Sequence, residues 1–357
     1  MKVAIIGTVG LPATYGGWET LVDHLTKKLN TQFEITVFCS SKRYEKQLEF
    51  YNGVKLEYID LDANGVQSIF YDIASIIKAL KFADCLLILG VSGCVFLPLV
   101  KLLSRKKIIV NIDGMEWRRD KWGSFAKWFL KCSEAMAIRY ADISIADNKE
   151  IQNYIRSEYG KPSELIAYGA DHVSQEKISQ EVFAQYPFLK EKYAFKVCRI
   201  EPENNIHIIL NAFEGLQNIN LVVVGNWANS QYGIDLKKKY KEYNHIHLLD
   251  PVYDQYVLNQ IRSNCFIYIH GHSAGGTNPS LVEAMYLGLP VIAFDVKYNI
   301  ETTHNKAKYF NTSLDLVDIL SNIESCELES MRKDMRYIAE ENYTWDKIAK
   351  QYASLFR

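Results

Sequence analysis

The sequence predicts an α/β protein of two doubly wound domains, each a mainly parallel sheet with helices on both faces. Three observations predict it. The chain has 357 residues, too many for one ordinary core. Short β-branched apolar runs alternate with stretches of helical apolar spacing, the signature of parallel strands joined by crossover helices. That alternation runs through the chain twice, with a polar break between the two series.

In the first series, strands are expected at 3–7, 35–39, 55–59, 85–89, 108–112 and 143–146, with a helix at 20–29 after the first of them. The pattern weakens over 171–193, which is polar and carries Pro187, so this stretch reads as a linker. The second series has strands at 194–199, 221–225, 246–249, 265–270 and 291–294, and helices at 206–216, 233–242, 257–264 and 279–287. The expected domains are therefore 1–170 and 194–340. The tail 341–357 contains an amphipathic, aromatic segment suited to packing back across the junction.

Composition narrows the function classes. Formal net charge is −1, so no global positive field draws the chain to nucleic acid, and none is expected as a partner. Seven cysteines occur singly with no CxxC pair, mostly in apolar runs, as small buried hydrophobes of a reducing cytoplasm. The opening MKVAIIGTVG has too short an apolar run for a signal peptide and is expected to run straight into a glycine loop. The most apolar stretch, 86–103, is broken by Gly90, Gly93 and Pro98, and reads as a strand and a buried helix, not a membrane span.

Two loops carry most of the chemistry. GTVGLPATYGGWE, residues 7–19, sets Gly7, Gly10, Gly16 and Gly17 between a strand and a helix. Such a loop lets backbone N–H groups and a helix N-terminus approach an anionic ligand; a merely tight turn is the alternative. The second is HGHSAGGTNPSLVEAMYLGLPVIAFD, residues 270–295. A strand ends at His270, Gly275 and Gly276 follow, Asn278 suits an N-cap, and Pro279 suits the first helical position. That helix start can hold a diphosphate, and Glu283, one turn in, can accept hydrogen bonds from a ribose; a capped helix with a solvated glutamate is the bland alternative.

NIDGMEWRRDKWG, residues 111–123, follows an expected strand at the edge where open sheets bind ligands. Asp113 is a candidate for orienting a hydroxyl, or simply caps a turn before Gly114. Glu116 and Arg118 are acceptor candidates, or partners in a buried ion pair. From Trp117 to Lys131, aromatic residues (Trp117, Trp122, Phe125, Trp128, Phe129) mix with basic ones (Arg118, Arg119, Lys121, Lys127, Lys131), a pattern that suits an anionic membrane surface or, for some of the rings, a core. Asp60-Leu61-Asp62 spells DxD, but far from the glycine-rich loops, and no Cys/His cluster suggests zinc; neither a metal nor another cofactor is expected.

PSLVEAMYLGLP, residues 279–290, resembles the C-terminal signature of family 4 glycosyltransferases of the GT-B type, which have two Rossmann-like domains facing across a cleft. GLPATYGGWET, NIDGMEWRRDKWG and RIEPENN (199–205) resemble a bacterial subgroup of capsule and exopolysaccharide rhamnosyltransferases. The resemblance runs in order over nearly the whole chain. It implies that Arg199 neutralises the leaving diphosphate and that Glu283 grips the ribose. Asp113 falls where many members place a histidine near the reacting sugar. The implied nucleotide-sugar site comprises Gly16, Gly17, Arg199, Asn204, Gly225, His270, His272, Gly275, Gly276, Thr277, Asn278, Ser280 and Glu283; the acceptor site comprises Tyr15, Gly16, Glu116, Trp117 and Arg118. Two departures stand out: the family's first glutamate of an E-x7-E pair falls on Gly275, and its usual lysine falls on Asn204.

The implied activity is retaining transfer of a sugar, rhamnose from dTDP-rhamnose first and a UDP-hexose second, to a hydroxyl of a glycan or lipid-linked glycan in cell-surface polysaccharide synthesis. The resemblance also implies reversible contact with the inner membrane face from the cytoplasm. The rivals are a GT-B-shaped nucleotide-sugar epimerase or hydrolase and a non-catalytic nucleotide-binding module. A nicotinamide oxidoreductase is disfavoured, since neither glycine loop has the dinucleotide spacing.

Overall fold

The computed structural model describes residues 1–13, 16–119 and 122–357. The chain divides into two compact units, Met1–Gly169 with Trp345–Arg357, and Ala170–Thr344.

The first unit runs β1 (Lys2–Ile6), α1 (Gly17–Leu29), β2 (Glu34–Ser40), β3 (Phe50–Tyr51), β4 (Val54–Ile59), α2 (Gln67–Ala79), β5 (Cys85–Leu89), α3 (Leu97–Leu103), β6 (Lys107–Asn111), α4 (Ser124–Tyr140), β7 (Ile143–Ala146), α5 (Lys149–Tyr159) and β8 (Glu164–Leu165). Its strands lie in the order β3-β4-β2-β1-β5-β6-β7-β8, parallel except for the β3–β4 pair. The central strands are apolar throughout because both faces are covered: all of β5, CLLIL, is buried. Helix α1 buries Leu21, Val22, Leu25 and Leu29, one stripe at helical spacing. Strands β3 and β8, two residues each, are too short to leave a periodic signal and were absent from the sequence expectation.

The second unit runs α6 (Gln180–Gln185), β9 (Tyr193–Val197), α7 (Ile206–Phe213), β10 (Asn220–Val224), α8 (Gln231–Lys239), β11 (Ile246–Leu249), α9 (Gln255–Ser263), β12 (Ile267–His270), α10 (Pro279–Tyr286), β13 (Val291–Phe294), α11 (Lys297–Thr302), β14 (Lys308–Phe310), α12 (Ser313–Asn322) and α13 (Ser325–Asn342). Its six parallel strands are ordered β11-β10-β9-β12-β13-β14. Ile209, Leu210 and Phe213 of α7 meet Leu221, Val223, Ile267 and Ile269 of the sheet in one core. The stretch 171–193 is built into this unit: it carries α6, capped by the Ser179 hydroxyl, which accepts the Val182 N–H.

The final helix, α14 (Trp345–Phe356), belongs to the first unit. Trp345 stacks on His24 with ring centroids 4.3 Å apart, and Phe356 meets Phe33 edge-on at 5.3 Å. The Asn111 amide donates to the Tyr352 hydroxyl at 3.1 Å, tying α14 to the end of β6.

One buried carboxyl in the first unit has a consequence for stability. Asp72, on α2, is 3% exposed and accepts the Gly93 N–H at 3.1 Å. Burial pushes its carboxyl from 3.8 up to about 8, and the Gly93 hydrogen bond only partly opposes this. The folded protein therefore binds this proton more tightly than the unfolded chain. The contribution of Asp72 to stability is fully present below pH 3.8 and is lost as pH rises to about 8. Asp72→Asn, which cannot ionise, should unfold at a higher temperature than wild type above pH 8, with the gap shrinking toward pH 4. Thermal unfolding across that range checks it; a gap independent of pH would show that Asp72 does not titrate there.

Candidate active site

In an open parallel sheet, ligands bind beyond the carboxyl ends of the strands where the strand order reverses, because the helices leave to opposite faces and open a crevice. In the second unit that reversal falls between β9 and β12. The two loops leaving these strands carry most of the donor candidates.

The loop after β12 enters α10. Asn278 caps the helix, its side-chain oxygen accepting the Ser280 N–H at 3.1 Å and the Ser280 hydroxyl at 2.8 Å, and Pro279 takes the first helical position. The Tyr268 hydroxyl donates to Ser280 Oγ at 2.9 Å, fixing the helix start against β12. Gly275 has φ +109°, backbone that only glycine takes without strain, so the glutamate the family places there would not fit this loop conformation.

The loop after β9 holds Arg199, whose side chain is 45% exposed and 4.0 Å from Glu201 Oε2. Asn204 is buried and joins the two loops: its amide donates to the Arg199 carbonyl at 2.9 Å, and its oxygen meets His272 Nδ1 at 2.9 Å. The Asn205 amide donates to the Gly271 carbonyl at 2.9 Å and the Asn299 amide to the His272 carbonyl at 2.9 Å. Gly225 ends β10 in packing: a Cβ there would lie 2.5 Å from the Cys198 carbonyl. His270 is 2% exposed, with neither ring nitrogen hydrogen-bonded. Thr277 is buried and Gly276 half-buried beside it.

Glu283 stands in a triad that sequence reasoning missed. Its Oε2 pairs with Arg262 Nη1 at 2.5 Å, and its Oε1 meets His172 Nε2 at 3.1 Å. Burial raises the carboxyl, but Arg262 and then His172 outweigh it and hold Glu283 below its usual value. The carboxylate is thus ionised and fixed one turn into α10. Arg262 comes from α9 and His172 from the polar stretch before β9, neither of which shows a motif.

In the first unit the strand order reverses between β1 and β5. The glycine-rich loop after β1 is tied down by Glu19, the last residue of the 7–19 motif, to which the sequence reading gave no role: its Oε1 accepts the Thr8 hydroxyl at 2.8 Å and the Val9 N–H at 2.7 Å. Gly16, at φ +101°, is where Glu19 folds back, and a Cβ there would lie 2.3 Å from Glu19 Oε2. Gly17 begins α1. Tyr15 lies outside the described residues.

The loop after β6 holds Asp113 with φ +58° and its N–H 3.3 Å from Asn111 Oδ1. Glu116 pairs with Arg119 at 2.8 Å and accepts the Trp122 indole N–H at 3.1 Å, so the ion pair expected for it is formed with Arg119 and not Arg118. Arg118 stands exposed over the rings of Trp117, at 5.0 Å, and Tyr154, at 5.5 Å. Lys131 is drawn inward: its ammonium lies over Trp117, Tyr154 and Tyr159 and 2.9 Å from Glu158. Lys121 lies outside the described residues, while Phe125 and Trp128 are 77% and 61% exposed on α4. Asp62 of the DxD sequence pairs with Arg43 at 3.0 Å, and Asp60 accepts the Ser41 hydroxyl at 3.1 Å.

Residues 1–171 match a family described as a domain of unknown function, DUF1972, and residues 178–342 match Glycosyl transferases group 1. No curated protein sequence matches the chain. Among solved structures the chain is similar to sucrose-phosphate synthase from Thermosynechococcus elongatus, at 15% identity and a TM-score of 0.82 over 100% of this chain and 98% of that one. It is similar to HepE of Anabaena in complex with UDP and glucose, at 16% identity and a TM-score of 0.77 over 99% of this chain and 98% of that one. It is also similar to an E. coli structure described as trehalose-6-phosphate bound with UDP-2-fluoro glucose, at 11% identity and a TM-score of 0.74 over 100% of this chain and 99% of that one. At these identities the likeness establishes the fold, two Rossmann-like domains of the GT-B kind. Residues 178–342 form a Glycosyl transferases group 1 domain behind a DUF1972 domain, and the protein is a glycosyltransferase.

Proposed function

We propose that this glycosyltransferase takes its sugar from a nucleoside diphosphate donor held in the second unit and transfers it, with retention, to a hydroxyl of a glycan or lipid-linked glycan positioned by the first unit. The observation that carries this reading is the start of α10 at the β9–β12 reversal, with an ionised Glu283 one turn in and Arg199 on the loop that leaves the adjacent β9. A helix N-terminus and an arginine suit a diphosphate; an ionised carboxylate that can accept from two hydroxyls suits a ribose. Three similar HepE structures hold UDP, UDP with glucose, or UDP-glucose, which supports a nucleotide-sugar donor here.

The reaction asks little covalent chemistry of the protein. The bond from the anomeric carbon to the diphosphate breaks, negative charge grows on the leaving phosphate, and the acceptor hydroxyl attacks on the same face as its proton passes to that phosphate. Arg199 and the α10 dipole stabilise the growing charge, Glu283 holds the nucleoside, and Asp113 orients a hydroxyl. Rhamnose from dTDP-rhamnose, in capsule or exopolysaccharide synthesis, is the leading donor on the resemblance of residues 10–20, 111–123 and 199–205. A UDP-hexose is the second reading, favoured by the HepE complexes. A thermal-shift screen against both donors, followed by product analysis with excess EDTA present, separates them; a donor that binds only the native state raises the unfolding temperature.

Arg199→Ala should lower turnover by about 10- to 100-fold, from a charge-assisted phosphate contact of about 1.5–3 kcal/mol, with a smaller effect on acceptor KM. Steady-state kinetics check it, and wild-type kinetics would remove Arg199 from the site.

Contact with an anionic membrane from the cytoplasm is part of the proposal, and its surface is narrower than the sequence run. Lys131 is engaged by Glu158 and three rings, so the exposed pair Phe125 and Trp128, 5.8 Å apart, with Lys127 beside them, carries it. Leu102 and Leu103, 79% and 71% exposed on the neighbouring α3, extend the apolar character. Wild type should float with anionic liposomes more than with neutral ones, and less at high salt. Phe125→Ser/Trp128→Ser should abolish the salt-resistant fraction; equal flotation of the variant would assign these rings another role.

A further inference from the structure

Strand β9 reads YAFKV, and Tyr193, Ala194, Phe195 and Lys196 are each 2% exposed or less. Lysine is almost never fully buried unless paired. Lys196 is 1% exposed, yet its Nζ has no oxygen or nitrogen hydrogen-bond partner and no ion pair among the described residues; the weakly polar Cys198 thiol is the group set against it. Burial pushes its ammonium below the ordinary lysine value, with the Cys198 thiol opposing. A lone buried cation costs several kcal/mol, and a well-packed apolar side chain of similar volume would cost less.

Its place explains what it is for. The register pairs Phe195 with Tyr268, which sets Lys196 beside Ile269, one residue before His270, where the two strands flanking the reversal end. His270 is as buried and as unpartnered, its imidazole pushed well down by burial first and then by the Lys196 charge. Arg199 follows three residues later and His272 two residues after His270. Four basic side chains thus lie at or just beyond the carboxyl ends of β9 and β12, and the two deepest, Lys196 and His270, have no acidic partner among the described residues. Glu201, on the loop after β9, lies 4.0 Å from Arg199, and Lys196 and His270 are left without a compensating anion among the described residues.

We propose that Lys196 is a positioning residue of the donor site, a buried cation whose field holds the diphosphate of the nucleotide at the β9–β12 reversal. This rests on the reading of the second unit as the donor site. Lys196 acts through space and through His270, and it exchanges no proton or bond with the donor.

The test compares UDP and dTDP with uridine and thymidine, by calorimetric titration and displacement, on wild type, Lys196→Met, Lys196→Gln and Lys196→Arg. Lys196→Met should weaken diphosphate binding about tenfold, or about 1.4 kcal/mol, leave nucleoside binding unchanged, and raise the unfolding temperature by removing an uncompensated charge. Lys196→Gln should show the same split in affinity, and Lys196→Arg should recover diphosphate binding. Unchanged diphosphate affinity in both neutral variants overturns the inference. So does a parallel loss of diphosphate and nucleoside binding with a lower unfolding temperature, which marks a purely structural lysine. If wild type binds none of the four ligands, the donor-site reading itself fails, an outcome distinct from either.

Discussion

The chemistry of the second unit depends on one topological constraint, the reversal of strand order between β9 and β12. Parallel strands with right-handed crossovers send their helices to opposite faces on either side of such a reversal, and the loops at the carboxyl ends part there. Most of the candidate donor residues follow from which residues leave those two strands, while Arg262 and His172 reach Glu283 from elsewhere in the unit. From β9 come Lys196, Arg199 and Asn204; from β12 come His270, His272 and the capped start of α10. The Asn204 bridge, donating to the Arg199 carbonyl and meeting His272, then holds the two loops in one arrangement. Asn204, where the family resembled has a lysine, is engaged in holding the loops together.

Electrostatics in this crevice run mainly one way. The helix dipole, Arg199 and Lys196 all favour an anion. Glu201 beside Arg199 and Glu283 on α10 run against this, and Glu283 remains ionised because Arg262 and His172 hold it, against the burial that would protonate it. A carboxylate beside a phosphate is a repulsive neighbour unless its charge is already paired, so in the proposed site the triad would let Glu283 accept from hydroxyls without repelling a diphosphate.

Much of this was legible in the sequence, for physical reasons. Strands β5 and β7 were expected at their observed limits, because fully covered parallel strands are continuous apolar runs bounded by polar or glycine residues. Asn278 and Pro279 announced the start of α10 through cap chemistry that is local in sequence. What could not be read was set by long-range contact: Arg262 and His172 converge on Glu283 from 21 and 111 residues away. The α13 helix was passed over although Leu328, Met331, Met335 and Ile338 sit at helical spacing, because charged residues dilute the stripe. Lys196 went unremarked because a lysine inside an apolar run reads as an exposed edge until burial is known. The aromatic run after Trp117 was legible only as a mixture; the fold separates Trp117, packed against Arg118 and Lys131, from the exposed Phe125 and Trp128.

The central claim is that the start of α10, at the β9–β12 reversal, receives the donor diphosphate. A crystal structure of the chain with dTDP or UDP bound tests it most directly. The account predicts phosphate oxygens within hydrogen-bond distance, about 2.7–3.2 Å, of backbone N–H groups between Gly276 and Ser280, with Arg199 facing the outer phosphate and Glu283 accepting from the ribose. Nucleotide bound in the first unit, or in the groove beside Tyr286 and Arg336 at the opposite end of α10, would contradict it.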